Sequence, residues 1–353
     1  MATITMSDEA TAKSARYAAS WLDQFIAWLE ALPGPTAAAY LGLMLLAIVV
    51  SNLQNWLSGL TPVGALSAAQ TFWGVFTVLT VWVAGHLDSV AGRAFDSFRP
   101  AISPGAMDLD RARYELTTMP ARPALVILGA SFAFTILYYV SDPVASQIVG
   151  LSPAALAIRA GFEGMFTAVM LSVIVHAIRQ LRLVIRLHAA ADRIDLFHAA
   201  PLHAFSRLTS QTGMVLIAIV LFAYAANPVP LEGGTAALWI PWMIGMPVAG
   251  VLVFIVPLLG IHGRLVRAKS ELQGAANQRL QAVLAELDHD VDTLDLTRAG
   301  GLQQTIGSLL QQREILAKLS TWPWSTGTLR AFVSAIALPL ALFVMQRFLG
   351  QLL

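Results

Sequence analysis

From residue 154 to residue 200 the chain runs without a proline, between Pro153 and Pro201. The first half of this stretch is apolar enough to sit in lipid; the second half carries Arg179, Arg182, Arg186 and Arg193. As one helix it would extend about 70 Å at 1.5 Å per residue, against roughly 30 Å of bilayer hydrocarbon. The stretch therefore predicts a helix that crosses a membrane and continues into the cytoplasm.

The rest of the chain fits that solvent. Hydrophobic residues make up 57% and charged residues 12%, about half the charged share of a soluble domain. The apolar runs are continuous and do not alternate, which argues against an outer-membrane barrel. There is no cysteine, so disulfides, thiolate metal sites and Cys nucleophiles are excluded. Asp8 and Glu9 lie within a leader that has no apolar core, so no cleaved signal peptide is expected.

Seven spans of about the length a membrane helix needs are predicted, at 36–56, 63–86, 121–140, 154–177, 208–226, 236–261 and 329–349. Connections 57–62, 141–153 and 227–235 hold none of the 22 Lys and Arg residues. The intervening connections are basic: Arg93, Arg99, Arg111 and Arg113 in the first, Arg179 to Arg207 in the second, and Arg264 to Lys318 in the third. The exclusion of positive charge from alternate connections predicts a cytoplasmic N-terminus and an external C-terminus. Trp56, Tyr138, Tyr139, Trp239, Trp242, Trp322 and Trp324 cluster near span ends, as an aromatic belt does.

The expected fold is thus all-α and polytopic: about seven transmembrane helices, an N-terminal interfacial helix and a cytoplasmic helical hairpin. Residues 1–35 form the N-terminal unit, with a helix from Ser7 to Leu32 that carries Trp21, Phe25, Trp28 and Leu32 on one face. Such a face suits the membrane interface or packing on the protein's own cytoplasmic helices. Residues 36–261 form a six-helix bundle with cytoplasmic loops 87–120 and 178–207. Residues 262–320 form the hairpin, with an a/d seam of Leu280, Leu284, Leu287, Val291 and Leu294 and a break at Gly300-Gly301. Residues 321–353 supply the last span.

Several constellations could carry chemistry. Arg159 and Glu163 lie one turn apart within the fourth span, where ionisable groups are costly and often functional. Ala157, Gly161, Gly164, Ala168 and Ser172 make a small-residue stripe that lets a second helix approach. His176, near the cytoplasmic end, reads as a proton relay or, more simply, as a hydrogen-bonded packing residue. His188, Asp192, Asp195 and His198 resemble half of a carboxylate-bridged metal site, but the matching acid-x-x-His on a second helix is missing. Asp288, Asp290, Asp292 and Asp295 fail as an EF-hand, since Thr293 stands where glycine is needed and Ala299 where glutamate is. They read as acids that solvate the hairpin's far end. Pro241, Pro247, Pro257 and Pro339 are candidate hinges.

No catalytic motif or dinucleotide fingerprint is present, so no enzymatic role and no cofactor are expected. The basic residues flank spans, which suits anionic lipid headgroups better than nucleic acid. The functional expectation is a homo-oligomeric channel or carrier for an ion or small solute in a prokaryotic plasma membrane. Arg159 and Glu163 would be its polar site. The alternative is a non-conducting adaptor or sensor acting on a cytoplasmic protein through the hairpin.

Overall fold

The computed structural model describes residues 17–141, 143, 146, 148–192, 196–197, 201–226, 236–294 and 297–337, giving the backbone alone at 202, 220, 222–226 and 236–243. Among the described residues every regular element is helical; the one β-type contact is an isolated bridge between Ala19 and Pro120. The helices are α1 (Trp21–Glu30), α2 (Thr36–Leu57), α3 (Ala68–Phe98), α4 (Leu109–Thr117), α5 (Ala121–Ser141), α6 (Pro153–Ala190), α7 (Ala204–Ala226), α8 (Ala236–Asp292) and α9 (Ala299–Lys318). A last helix, α10, is described from 326 to 337.

Five of these are long and apolar enough to cross a membrane: α2, α3 with its 3-10 extension, α5, α6, and α8 counted from Ile244. The other two expected spans fall on α7 and α10, each described only in part. Within the spanning windows 44% of α3 and 56% of α6 is buried, against 22% of α2 and of α5. So among these five α3 and α6 are the most buried, and α2 and α5 turn Leu41, Leu45, Val126 and Leu137 outward.

The N-terminal helix is shorter than its apolar pattern suggested. Residues before 17 lie outside the described part, Ser7 included, but 17–20 are extended and α1 starts at Trp21. Ser20 and Asp23 form a capping box: the Ser20 hydroxyl accepts from Asp23 N at 3.1 Å and Ser20 N donates to the Asp23 carboxylate at 3.3 Å. The extended residues spend their backbone groups on the segment before α5, with Ser20 N on Met119 O and Ala121 N on Ala18 O, both at 2.9 Å. Leu22, Ile26 and Leu29 are buried against the bundle; of the expected face, Trp21, Phe25 and Leu32 are partly buried beside them, while Trp28 stays 55% exposed and stacks with Phe25.

The polar end of α2 ties off its connection to α3. Asn52 accepts from Ser67 N at 2.8 Å, Gln54 donates to Gln70 at 2.6 Å, and the Trp56 indole donates to Ala65 O at 2.7 Å.

Below this level α3 and α6 run on. Their extensions join the starts of α7 and the middle of α8 in an apolar core that includes Phe95, Phe98, Leu183, Leu187, Phe205, Leu208, Ile261 and Leu265. The stretch read as one helix from 154 to 200 ends at Ala190. Arg264 of α8 fastens that end, donating to the carbonyls of Ala189 and Ala191. A guanidinium at a helix C-terminus satisfies orphan carbonyls and meets the negative end of the helix dipole.

Helices α7 and α8 approach closely at a pair of glycines. A Cβ at Gly250 would stand 2.7 Å from Gly213 O, and one at Gly213 would strike Gly250 O in return. Helix α8 passes Pro241, Pro247 and Pro257 without interruption and forms the hairpin's first arm; Pro339 lies outside the described residues. The hairpin's first arm ends at Asp292, with Leu294 beyond it at φ +57°, and Gly300-Gly301 are no break but sit in the first turn of α9. The pairing face is also displaced from the expected seam. Ala276 and Asp290 are buried and Leu280 and Leu287 partly so, whereas Leu284, Val291 and Leu294 are exposed. Asp290 is no solvated acid: Arg298 reaches it across the turn at 2.8 Å and also holds Glu286 at 2.6 Å.

Candidate functional site: two polar clusters on α6

Helix α6 carries a polar cluster near each end of its apolar stretch. From Arg159 to Gln180 it rises about 30 Å at 1.5 Å per residue, the thickness of bilayer hydrocarbon.

At the first cluster Arg159 Nε donates to Glu163 Oε1 at 2.8 Å, and the Tyr139 hydroxyl of α5 donates to Glu163 Oε2 at 2.7 Å. Both carboxylate oxygens are thus engaged. The Arg159 side chain is only 14% exposed and that of Glu163 39%, so the pair opens to one side. One residue further on, a Cβ at Gly164 would stand 2.8 Å from the Phe132 ring of α5. The small-residue stripe is used along half its length. Gly164, Ala168 and Ser172 are buried, but Ala157 is exposed and a Cβ at Gly161 would meet nothing within 4 Å.

At the second cluster His176 meets Asp88 of α3. The ring Nε2 lies 2.9 Å from Asp88 Oδ1, and Gln180, one turn on, donates to the same oxygen at 2.8 Å. The Gln180 amide's second proton goes to Leu116 O at 2.9 Å. With both amide protons spent, the His176 tautomer that fits carries its proton on Nε2 and donates it to Asp88. The Nδ1 atom and the Ser172 hydroxyl are buried, and neither has a protein partner. Both residues line a cavity of about 20 Å³, together with Asp23, Leu22, Ala84 and Asp88. That is room for one water with several polar neighbours. Asp23 itself accepts from Met119 N at 2.8 Å, so the start of α1 forms one wall of the cavity.

Of this cluster only His176 stood out in the sequence. Asp88 and Gln180 did not. Asp88 lies two residues past the expected end of its span, yet Leu87, Val90 and Ala91 around it are buried. Gln180 lies four residues after His176, hence on the same helix face.

The metal-site candidates part company. His188 is buried between the rings of Phe98 and Phe205, at 5.3 and 5.5 Å, with Nδ1 placed 3.1 Å from Pro257 O. Asp192 points elsewhere, accepting from Ser103 N at 3.0 Å. Asp195 and His198 lie outside the described residues. Among the described residues no three His, Cys, Asp or Glu side chains converge on a common point.

Compared with protein-family models, curated proteins and solved structures, the chain matches none.

Proposed function

We propose that this integral membrane protein is a non-conducting adaptor or sensor whose α8–α9 hairpin engages a cytoplasmic partner. The observation that carries this reading is the continuity of α8, a single helix of 57 residues from the span to the hairpin tip. It is tied to α6 at two adjacent points, His188 to Pro257 O and Arg264 to the last carbonyls of α6. A force on the hairpin therefore arrives at α6. One hairpin face is used internally; the other leaves Leu272, Leu284, Val291 and Leu310 exposed at 40–50%. The distribution of Lys and Arg supports a cytoplasmic N-terminus and hairpin, and the proposed setting is a prokaryotic plasma membrane. A photo-crosslinking residue in place of Leu284, in the full chain in its native membrane, tests the reading. A discrete adduct with another protein or a second copy is expected; adducts with lipid alone would overturn it.

A second reading, passage of an ion or small solute through a homo-oligomer, is favoured by the two clusters on α6. They stand one hydrocarbon thickness apart, and one borders a water-sized cavity. Protein reconstituted in liposomes would then carry a proton or potassium flux that drops in Asp88→Asn and Glu163→Gln. An absence of flux under either gradient would remove this reading.

A further inference from the structure

A second pocket belongs to neither cluster. The last turns of α3, the start of α7 and the start of α10 enclose about 380 Å³, within the range of small-molecule sites. Its wall carries Arg93 and Ser97 from α3, His203 and Arg207 beside the start of α7, and Ser325 and Thr328 at the start of α10. Among the described residues no Asp or Glu lines it.

The charge here is not used internally. Neither Arg93 nor Arg207 forms an ion pair among the described residues. Asp96, the acid nearest to Arg93 along α3, is held by Arg113 at 2.9 and 3.1 Å. Burial pushes the His203 imidazole below its usual range, against a weaker opposing effect of its hydrogen bond to the Trp322 backbone. At neutral pH it is an uncharged donor or acceptor, and the two guanidiniums supply the positive charge.

The hydroxyls are oriented. Ser325 Oγ accepts from Thr328 N at 3.0 Å and so already caps α10. Ser325 Oγ and Thr328 Oγ1 are 2.9 Å apart. Whichever of the two donates, the other keeps a proton to offer a ligand. Two guanidiniums and a hydroxyl around one space match the oxygens of a phosphate group. The pocket's depth is that of the aromatic belt: Trp322 and Trp324 precede it in the chain, stacked at 4.5 Å, with Trp322 also stacked on His262 at 3.9 Å.

We infer that this pocket binds the anionic phosphodiester head of a membrane lipid. The inference rests on the membrane reading of the chain and not on the role of the hairpin. Basic pockets between membrane helices at the cytoplasmic surface recognise lipid heads of this kind.

The test uses the full chain, purified in a maltoside detergent, with binding followed by native mass spectrometry and thermal shift. The probes are phosphatidylglycerol, a neutral galactolipid, and soluble glycerol 3-phosphate. Phosphatidylglycerol should bind and the galactolipid should not. Arg93→Gln/Arg207→Gln should weaken phosphatidylglycerol binding by about tenfold or more, the worth of one charge-assisted contact. Arg313→Gln, on the hairpin, should leave it unchanged. Both pocket arginines are exposed, so the double variant should fold; Thr328→Val provides a second, uncharged perturbation and should also weaken binding. Equal binding of the galactolipid, or undiminished binding by both variants, would overturn the inference. So would glycerol 3-phosphate binding as well as the lipid, which would make the ligand a soluble phosphate compound. A chain that stays soluble without detergent would instead sink the membrane reading itself.

Discussion

Replacing Asp88 tests how α3 and α6 are held. The carboxylate receives His176 Nε2 at 2.9 Å and Gln180 Nε2 at 2.8 Å, and both side chains of the pair are largely buried, at 17% and 10% exposure. Asp88→Ala strands two donors in the interior. Each unsatisfied buried donor costs about 1–3 kcal/mol, so stranding both costs about 2–6 kcal/mol. Asp88→Asn keeps an acceptor at the Oδ1 position and should lose only about 1–2 kcal/mol. The difference between the two variants thus separates loss of a hydrogen-bond acceptor from loss of charge. Denaturation in mixed micelles, followed by tryptophan fluorescence, measures both. A double-mutant cycle with His176→Ala should show about 1–3 kcal/mol of coupling, as directly bonded groups do. If Asp88→Ala costs less than about 1 kcal/mol, or the cycle is additive, the cluster does not brace α3 against α6, and the reasoning fails.

Two further outcomes follow from the same packing. Arg264→Met removes the guanidinium from the carbonyls at the end of α6 and should destabilise by about 2–3 kcal/mol, with faster amide exchange at 187–191 than elsewhere in the helix. Gly250→Val puts side-chain carbon against the backbone of α7 and should cost about 1–3 kcal/mol or more, whereas Gly260→Val, facing open space, should be tolerated much better in the same assay.

The solvent of the fold was legible in the residues, and pairings across it were not. Runs of apolar residues announce α2, α3, α5 and α6, because a helix that buries its surface in lipid needs only length and composition to do so. The longer apolar pattern from Ser7 masked Ser20-x-x-Asp23, the capping signal that marks where the helix begins. Asp88 and His176 lie 88 positions apart in the chain and meet only because α3 and α6 pack as neighbours. Nothing local to either residue encodes that meeting. The glycines at 213 and 250 were equally silent, since glycine is common in membrane helices and only the partner helix distinguishes a contact from a coincidence. The hairpin illustrates a subtler failure. A run of leucines spaced four and three does specify a helix, but a shift of one residue along it changes which flank meets α9, and the partner's shape decides that. The two Arg-bearing walls of the 380 Å³ pocket come from segments far apart in the chain, so basic residues that looked like general membrane flanks are gathered into one place.

The uninterrupted course of α8 makes its length and its aim inseparable. Each residue added to or removed from the arm beyond the span moves the tip by only 1.5 Å but swings it through about 100°. Deleting two residues would send Leu284 and Val291 to the opposite flank, while deleting seven would shorten the arm by about 10 Å and leave its heading nearly intact. In a rod fastened at its base, compass bearing is the more tightly constrained quantity, and reach is comparatively free to vary.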